Sequence, residues 1–180
     1  SSKSKPPPDE TIPDVFNRIK SVIAVASGKG GVGKSTVAVN LAAALAQLTM
    51  EDGKLPKIGL LDADIYGPSL PKLLNVTEKP EVDETKKICP LERFGMQTMS
   101  IGYMVKENQA MVWRGPMVQG ALLQMLNDVA WPELDILVLD LPPGTGDIQL
   151  TIAQKIPVTA AIVVTTPQNL ALADVRRSIN

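Results

Sequence analysis

The chain has 180 residues, 44% of them hydrophobic, with a formal net charge of −1 and no histidine. That suits one globular domain with a sizeable core and excludes imidazole metal sites and histidine triads. The near-neutral balance gives no global attraction to nucleic acid or anionic membranes, the single cysteine excludes an internal disulfide framework, and no apolar stretch is long enough to span a bilayer. Residues 1–20 read as an arm: Ser1-Ser2-Lys3-Ser4-Lys5-Pro6-Pro7-Pro8 is polar and proline-rich, without a signal-peptide core, and a short helix is expected over 15–20. Residues 21–180 read as one domain. Ser21-Val22-Ile23-Ala24-Val25-Ala26 is apolar on both faces, which predicts a buried parallel strand stopping at the glycines beyond it. An alanine- and leucine-rich helix follows over 35–48. A second strand over 57–61 ends at Asp62-Ala63-Asp64, and a short helix over 68–74 leads to a loop or small hairpin over 75–90. A strand is expected over 96–101. Proline at the start and apolar spacings of three and four predict a helix over 116–129. Residues 136–139 form the clearest buried strand, ending at Asp140; then come a helix over 148–154, a strand over 160–164 and a helix over 170–178. The alternation predicts a mostly parallel sheet with helices on both faces, a three-layer α/β/α fold. A final helix normally feeds another strand, so the domain is expected to be incomplete at its C-terminus.

The run Gly28-Lys29-Gly30-Gly31-Val32-Gly33-Lys34-Ser35 matches the phosphate-loop pattern in full and sits between a buried strand and a helix. Glycines let successive backbone N–H groups curve around phosphate oxygens, and the helix N-terminus adds its positive end. Lys34 is expected to reach the β- and γ-phosphates, Ser35 to ligand Mg²⁺, and residues 28–36, through Thr36, to bind the nucleotide, which the resemblance given below implies is ATP. Asp140 stands where a metal-holding carboxylate belongs, with a helix cap or turn as the plain alternative. Pro143, Gly144 and Gly146 suit a loop that senses the terminal phosphate, or else a rigid proline turn. Asp62 and Asp64 both lie at the ligand edge, Asp62 toward the metal and Asp64 as the group that orients the attacking water, unless one merely caps the next segment. Lys29 exceeds what an ordinary phosphate loop needs. It is either a solvated loop cation or a charge supplied to a phosphate across a dimer interface.

This run resembles the deviant Walker A motif of the MinD/ParA superfamily of P-loop ATPases. Within it, further stretches resemble the Mrp/Nbp iron–sulfur carrier family: Leu61-Asp62-Ala63-Asp64-Ile65-Tyr66-Gly67-Pro68-Ser69, Met99-Ser100-Ile101-Gly102, Val112-Trp113-Arg114-Gly115-Pro116-Met117, Asp140-Leu141-Pro142-Pro143-Gly144-Thr145-Gly146-Asp147 and Thr165-Thr166-Pro167-Gln168. The resemblance runs from about Ser21 to the last residue. It implies a nucleotide-sandwich homodimer in which Lys29 contacts ATP on the partner subunit, with slow, switch-like hydrolysis served by Lys29 and Asp64. Asp62 and Asp64 then belong to switch I and Asp140 with its glycine loop to switch II, and Mg²⁺ is held among Ser35, Asp62 and Asp140. Trp113, Arg114 and Met117 look like dimer-face or client-face residues, with helix-start packing as the alternative. The short arm, with Pro71-Lys72 followed by Asn75, leans toward the mitochondrial branch that serves respiratory complex I. That implies apo iron–sulfur clients, complex I subunits among them, and the mitochondrial matrix, with the cytoplasm as the alternative. The family holds a [4Fe–4S] cluster between two subunits through a Cys-x-x-Cys pair in its C-terminal region. Cys89-Pro90-Leu91-Glu92 does not match that pair, so no iron–sulfur ligand is assigned in this chain and the cluster is expected only in the full-length dimer. Neither nucleic acid nor a transmembrane segment is expected. Two other functions compete. A MinD/ParA-type spatial-organisation ATPase would need a basic DNA-binding face or an amphipathic membrane helix. A metabolic kinase or ligase resembling dethiobiotin synthetase sits poorly with the signature lysine and the runs 112–117 and 140–147.

Overall fold

The computed structural model describes residues 13–64, 67, 69–104, 115–144 and 146–167. The first strand, β1 (Ile19–Ser27), is longer than its apolar run. Ile19 pairs with Leu134, and Lys20 forms an ion pair with Asp135. That pairing pulls residues 19 and 20 into the sheet and leaves only a 3-10 turn, Asp14–Arg18, of the helix expected over 15–20. Helix α1 (Lys34–Leu45) follows, then β2 (Ile58–Asp62), buried along its whole length. Gly59 is needed there: a Cβ would stand 2.6 Å from Leu134 Cδ1 and 2.9 Å from Leu137 Cδ1 on the next strand. Helix α2 (Leu70–Leu73) is a single turn, shorter than its expected span.

Residues 75–90 contain a small hairpin contact, Val82 bridging Ile88, and Ile88 also bridges Val129 in parallel. The sequence reading lacked β3 (Leu91–Arg93), which runs antiparallel to β4 (Met96–Ser100) across the Phe94-Gly95 turn. Both turn residues have positive φ, 52° and 76°, the backbone of a tight hairpin. Phenylalanine rarely marks such a turn, and three half-exposed residues carry no clear alternation. Helix α3 (Gly115–Asp128), β5 (Leu134–Asp140), α4 (Asp147–Lys155) and β6 (Ala160–Val164) complete the described elements. The helix expected over 170–178 lies outside the described residues.

The sheet order is β3-β4-β2-β5-β1-β6, with every neighbouring pair parallel except β3 and β4. The step from β1 to β2 runs one way across this sheet, while those from β4 to β5 and β5 to β6 run the other. Right-handed crossovers therefore put α1 on one face and α3 with α4 on the other. Accordingly α1 packs beside α2, and α3 packs on α4. The carboxyl ends of β1, β2 and β5 share one edge, where Asp62 stands opposite Asp140 and Asp140 opposite Val25. Open parallel sheets bind ligands at that edge.

Candidate nucleotide site

From Ser27 the chain turns through residues 28–33 into α1. Gly31 and Gly33 adopt φ of 75° and 88°, which a side-chain-bearing residue reaches only with strain. Ser27 Oγ donates to the Lys29 carbonyl at 2.9 Å and steadies the turn. No side chain caps α1, so its first N–H groups remain for an anion. They face a cavity of about 400 Å³ walled by Gly30, Gly31, Gly33, Lys34, Ser35 and Thr36, and on its other side by Asp64 and Pro143. Gly28, Lys29 and Val32 complete the loop around it.

Lys34 is 5% exposed, and its ammonium donates to Asp140 Oδ1 with Asp64 Oδ2 at 3.7 Å. Three segments far apart in sequence thus converge on one buried cation. Asp140 is fully buried and its Oδ2 has no hydrogen-bond partner among the described residues. A buried carboxylate oxygen without a donor, on the aspartate paired with the lysine that precedes Ser35 at the helix start, fits the oxygen ligands that magnesium takes.

Asp62 is built differently. Its Oδ1 accepts from the Asp64 N–H at 3.0 Å, and its Oδ2 from Ser100 Oγ at 2.9 Å and the Leu70 N–H at 3.3 Å. It therefore pins the loop after β2 to the end of β4 and the start of α2. Burial, and then repulsion from Asp140, push its carboxyl up to about 7. Asp62 thus holds its proton more tightly in the folded than in the unfolded chain. Its contribution to stability is complete below about pH 4 and is lost as pH rises through 7. The stability of the wild type relative to Asp62→Asn is expected to fall across that window, by at most about 4 kcal/mol. Denaturation of both proteins at pH 4 and pH 8 measures this, and an unchanged difference would show an ordinary carboxyl.

The loop after β5 is tied to β1 by Leu141 N–H to Val25 O (3.0 Å) and Gly144 N–H to Ser27 O (2.9 Å). Gly144 and Gly146 adopt φ of 131° and 128°, and the Pro143 ring faces Gly30. Lys34, Ser35, Thr36, Asp64 and Pro143 of the expected site thus meet around one cavity, with Asp140 on Lys34 and Asp62 behind Asp64. Trp113, Arg114 and Thr145 lie outside the described residues, and Met117 falls in the first turn of α3. Cys89 is a half-buried free thiol whose N–H bonds the Glu81 carbonyl. Sequence reasoning missed Ser100 as the side chain that holds Asp62; its only signal is a hydroxyl ending an apolar strand. Among the described residues no helix is long and apolar enough to cross a membrane.

A buried strand, a glycine loop and a helix start that brings its lysine against two sheet-edge carboxylates define a P-loop nucleotide-binding protein. The chain belongs to the ParA group described as NUBPL iron-transfer P-loop NTPase, which it matches over residues 18–180. It is 56% identical over 165 residues to the iron-sulfur cluster carrier protein of Escherichia coli K12, an overlap covering 91% of this chain and 43% of that protein. It is 52% identical over 162 residues to the iron-sulfur protein required for NADH dehydrogenase, mitochondrial, of Arabidopsis thaliana, covering 90% of this chain and 50% of the relative. A nucleotide-binding protein from Archaeoglobus fulgidus, solved in complex with ADP, superposes with a TM-score of 0.73 at 40% identity, over 92% of this chain and 62% of that one. The chain thus spans half or less of the length of the two curated relatives.

Proposed function

We propose that this chain is the nucleotide-binding part of an ATP-dependent iron–sulfur carrier that loads or delivers [4Fe–4S] clusters to apoproteins. The observation that supports it most is the buried Lys34 between Asp140 and Asp64, facing a glycine-lined cavity in a chain related to named carriers. Phosphates entering the cavity meet the loop N–H groups, and Lys34 exchanges its carboxylate partners for the β- and γ-phosphates. Magnesium, held by Ser35 and Asp140, would neutralise phosphate charge. Asp62 has its oxygens engaged by protein donors, so we assign it to fixing the loop rather than to the metal. Asp64, whose N–H rests on Asp62, orients the attacking water. Lys29 supplies positive charge to ATP bound by a second copy of the chain, so hydrolysis is slow and tied to dimer closure. The loop Pro143–Gly144–Gly146 changes with the terminal phosphate. In this reading the cluster is cargo, bridged between two subunits by cysteines that this chain does not contain. The clients are apo iron–sulfur proteins, complex I subunits among them, and the mitochondrial matrix is the favoured location. The Arabidopsis relative, a mitochondrial iron-sulfur protein required for NADH dehydrogenase, supports both.

Anaerobic reconstitution of the full-length protein tests the carrier reading. About four iron and four sulfide per dimer are expected, with Cys89→Ser leaving both unchanged. Absence of a stable cluster would overturn it in favour of a MinD/ParA-type spatial switch. A cluster lost with Cys89→Ser would overturn the assignment of its ligands.

A further inference from the structure

The loop residues 141–144 are held from two directions. Leu141 and Gly144 tie it to β1, the strand that carries the phosphate loop. The other tie is Gln149, whose Nε2 donates to the Pro142 carbonyl at 3.0 Å. A carbonyl only accepts, so the amide nitrogen is the group that must face it. Gln149 is the third residue of α4 and reaches back seven positions along the chain to make this bond. Pro142 and Pro143 offer no N–H groups, and among the described residues the side chain of Gln149 links that part of the loop to the helix.

The next residue of the loop, Pro143, is a wall of the phosphate cavity and faces Gly30. Gly144 and Gly146 give the loop two pivots in backbone conformations that only glycine adopts freely. Those pivots lie between Pro143 and α4, so without a cross-tie a shift of Pro143 is absorbed at the glycines and leaves the helix still. With Gln149 in place, a shift of Pro143 carries the Pro142 carbonyl, and with it the first turn of α4. Helix α4 packs on α3, and its Leu150, adjacent to Gln149, is 60% exposed.

We propose that Gln149 is the positioning residue that transmits occupancy of the phosphate cavity from Pro143 to α4. The proposal rests on the nucleotide-binding reading above. Its substance is mechanical: the hydrogen bond to Pro142 makes the loop and the first turn of the helix move together.

Hydrogen–deuterium exchange on the full-length protein, with and without saturating AMPPNP and Mg²⁺, tests it. In the wild type, amides of the loop and of α4 should both change exchange on addition of the nucleotide, by about threefold or more. Gln149→Leu keeps the volume and loses the donor, and Gln149→Glu keeps the shape and presents an acceptor to a carbonyl. Each should bind AMPPNP within about twofold of wild type and keep the response of the loop, yet lose that of α4. Gln154→Leu, at an exposed position near the far end of the same helix, should retain both responses. A purely structural role for Gln149 would shift the baseline exchange of α4 and leave its nucleotide response intact, which would overturn the proposal. So would a wild-type α4 that ignores AMPPNP while calorimetry shows it bound. If calorimetry finds no binding to the wild type at all, the nucleotide site itself is misread and this coupling falls with it.

Discussion

Lys34→Ala is expected to do two things at once: lower ATP affinity by about 100-fold or more and destabilise the nucleotide-free fold by about 3–5 kcal/mol. The first effect follows from position. The ammonium sits at the start of α1 beside the glycine cavity, where a cation can be shared among phosphate oxygens. The second follows from burial. Lys34 is 5% exposed and Asp140 not at all, so this ion pair is not the solvent-screened surface kind. Alanine would leave the buried Asp140 carboxylate in the sheet edge without its counter-charge. The two effects can be separated. Lys34→Met combined with Asp140→Asn removes both charges and should recover most of the lost stability, while ATP affinity stays lost. Calorimetry with ATP and thermal denaturation of the three proteins measure both quantities. A Lys34→Ala protein as stable as wild type would show that the pair with Asp140 does not hold the fold. One that binds ATP normally would remove Lys34 from the site.

Lys29→Ala and Asp64→Asn should both leave ATP binding within about threefold of wild type and cut turnover by about 100-fold or more, for opposite reasons. Lys29 lies in the turn held by Ser27 and is proposed to act on the nucleotide of a second subunit. Its loss should abolish ATP-dependent dimerisation, so turnover fails because the second charge never arrives. Asp64 lines the cavity with its backbone fixed by Asp62. Asparagine keeps the shape but accepts the proton of a water poorly, so ATP should persist and the dimer accumulate. Light scattering with ATP and Mg²⁺, run beside a phosphate-release assay, distinguishes them. A Lys29→Ala protein that dimerises normally with ATP would end the cross-subunit role. An Asp64→Asn protein that turns over at the wild-type rate would end the water-orienting one.

The central sheet was legible because each core strand announces itself by apolar residues on both faces and stops at a residue with chemistry to do: Ser27, Asp62 and Asp140. The phosphate loop was legible because its glycines, lysine and serine have fixed spacing. What escaped was set by pairing and side-chain reach. Residues 19 and 20 look like helix until Leu134 and Asp135, far along the chain, draw them into β1. Strand β3 is short and half-exposed, held by its neighbour rather than by its own pattern. Asp62 and Asp64 look alike in sequence. Only the donors Ser100 and Leu70, brought by β4 and α2, show that one carboxylate secures the loop while the other faces the cavity. Gln149 was unreadable for the same reason, since nothing local shows that an amide on α4 meets a proline carbonyl.

The strand order has a bearing on how the protein is made. β1 emerges before the other described strands, yet its neighbours in the sheet are β5 and β6, and the ion pair at its start, Lys20 with Asp135, joins residues 115 apart. At translation speeds of ~5–20 residues per second, an apolar strand waits roughly 6–23 seconds before its first partner exists. During that interval its hydrogen-bonding edges and its valines and isoleucines need a holding chaperone or transient collapse to keep them from other chains. The phosphate loop is therefore among the earliest parts of the site to be synthesised and among the last to be held in place.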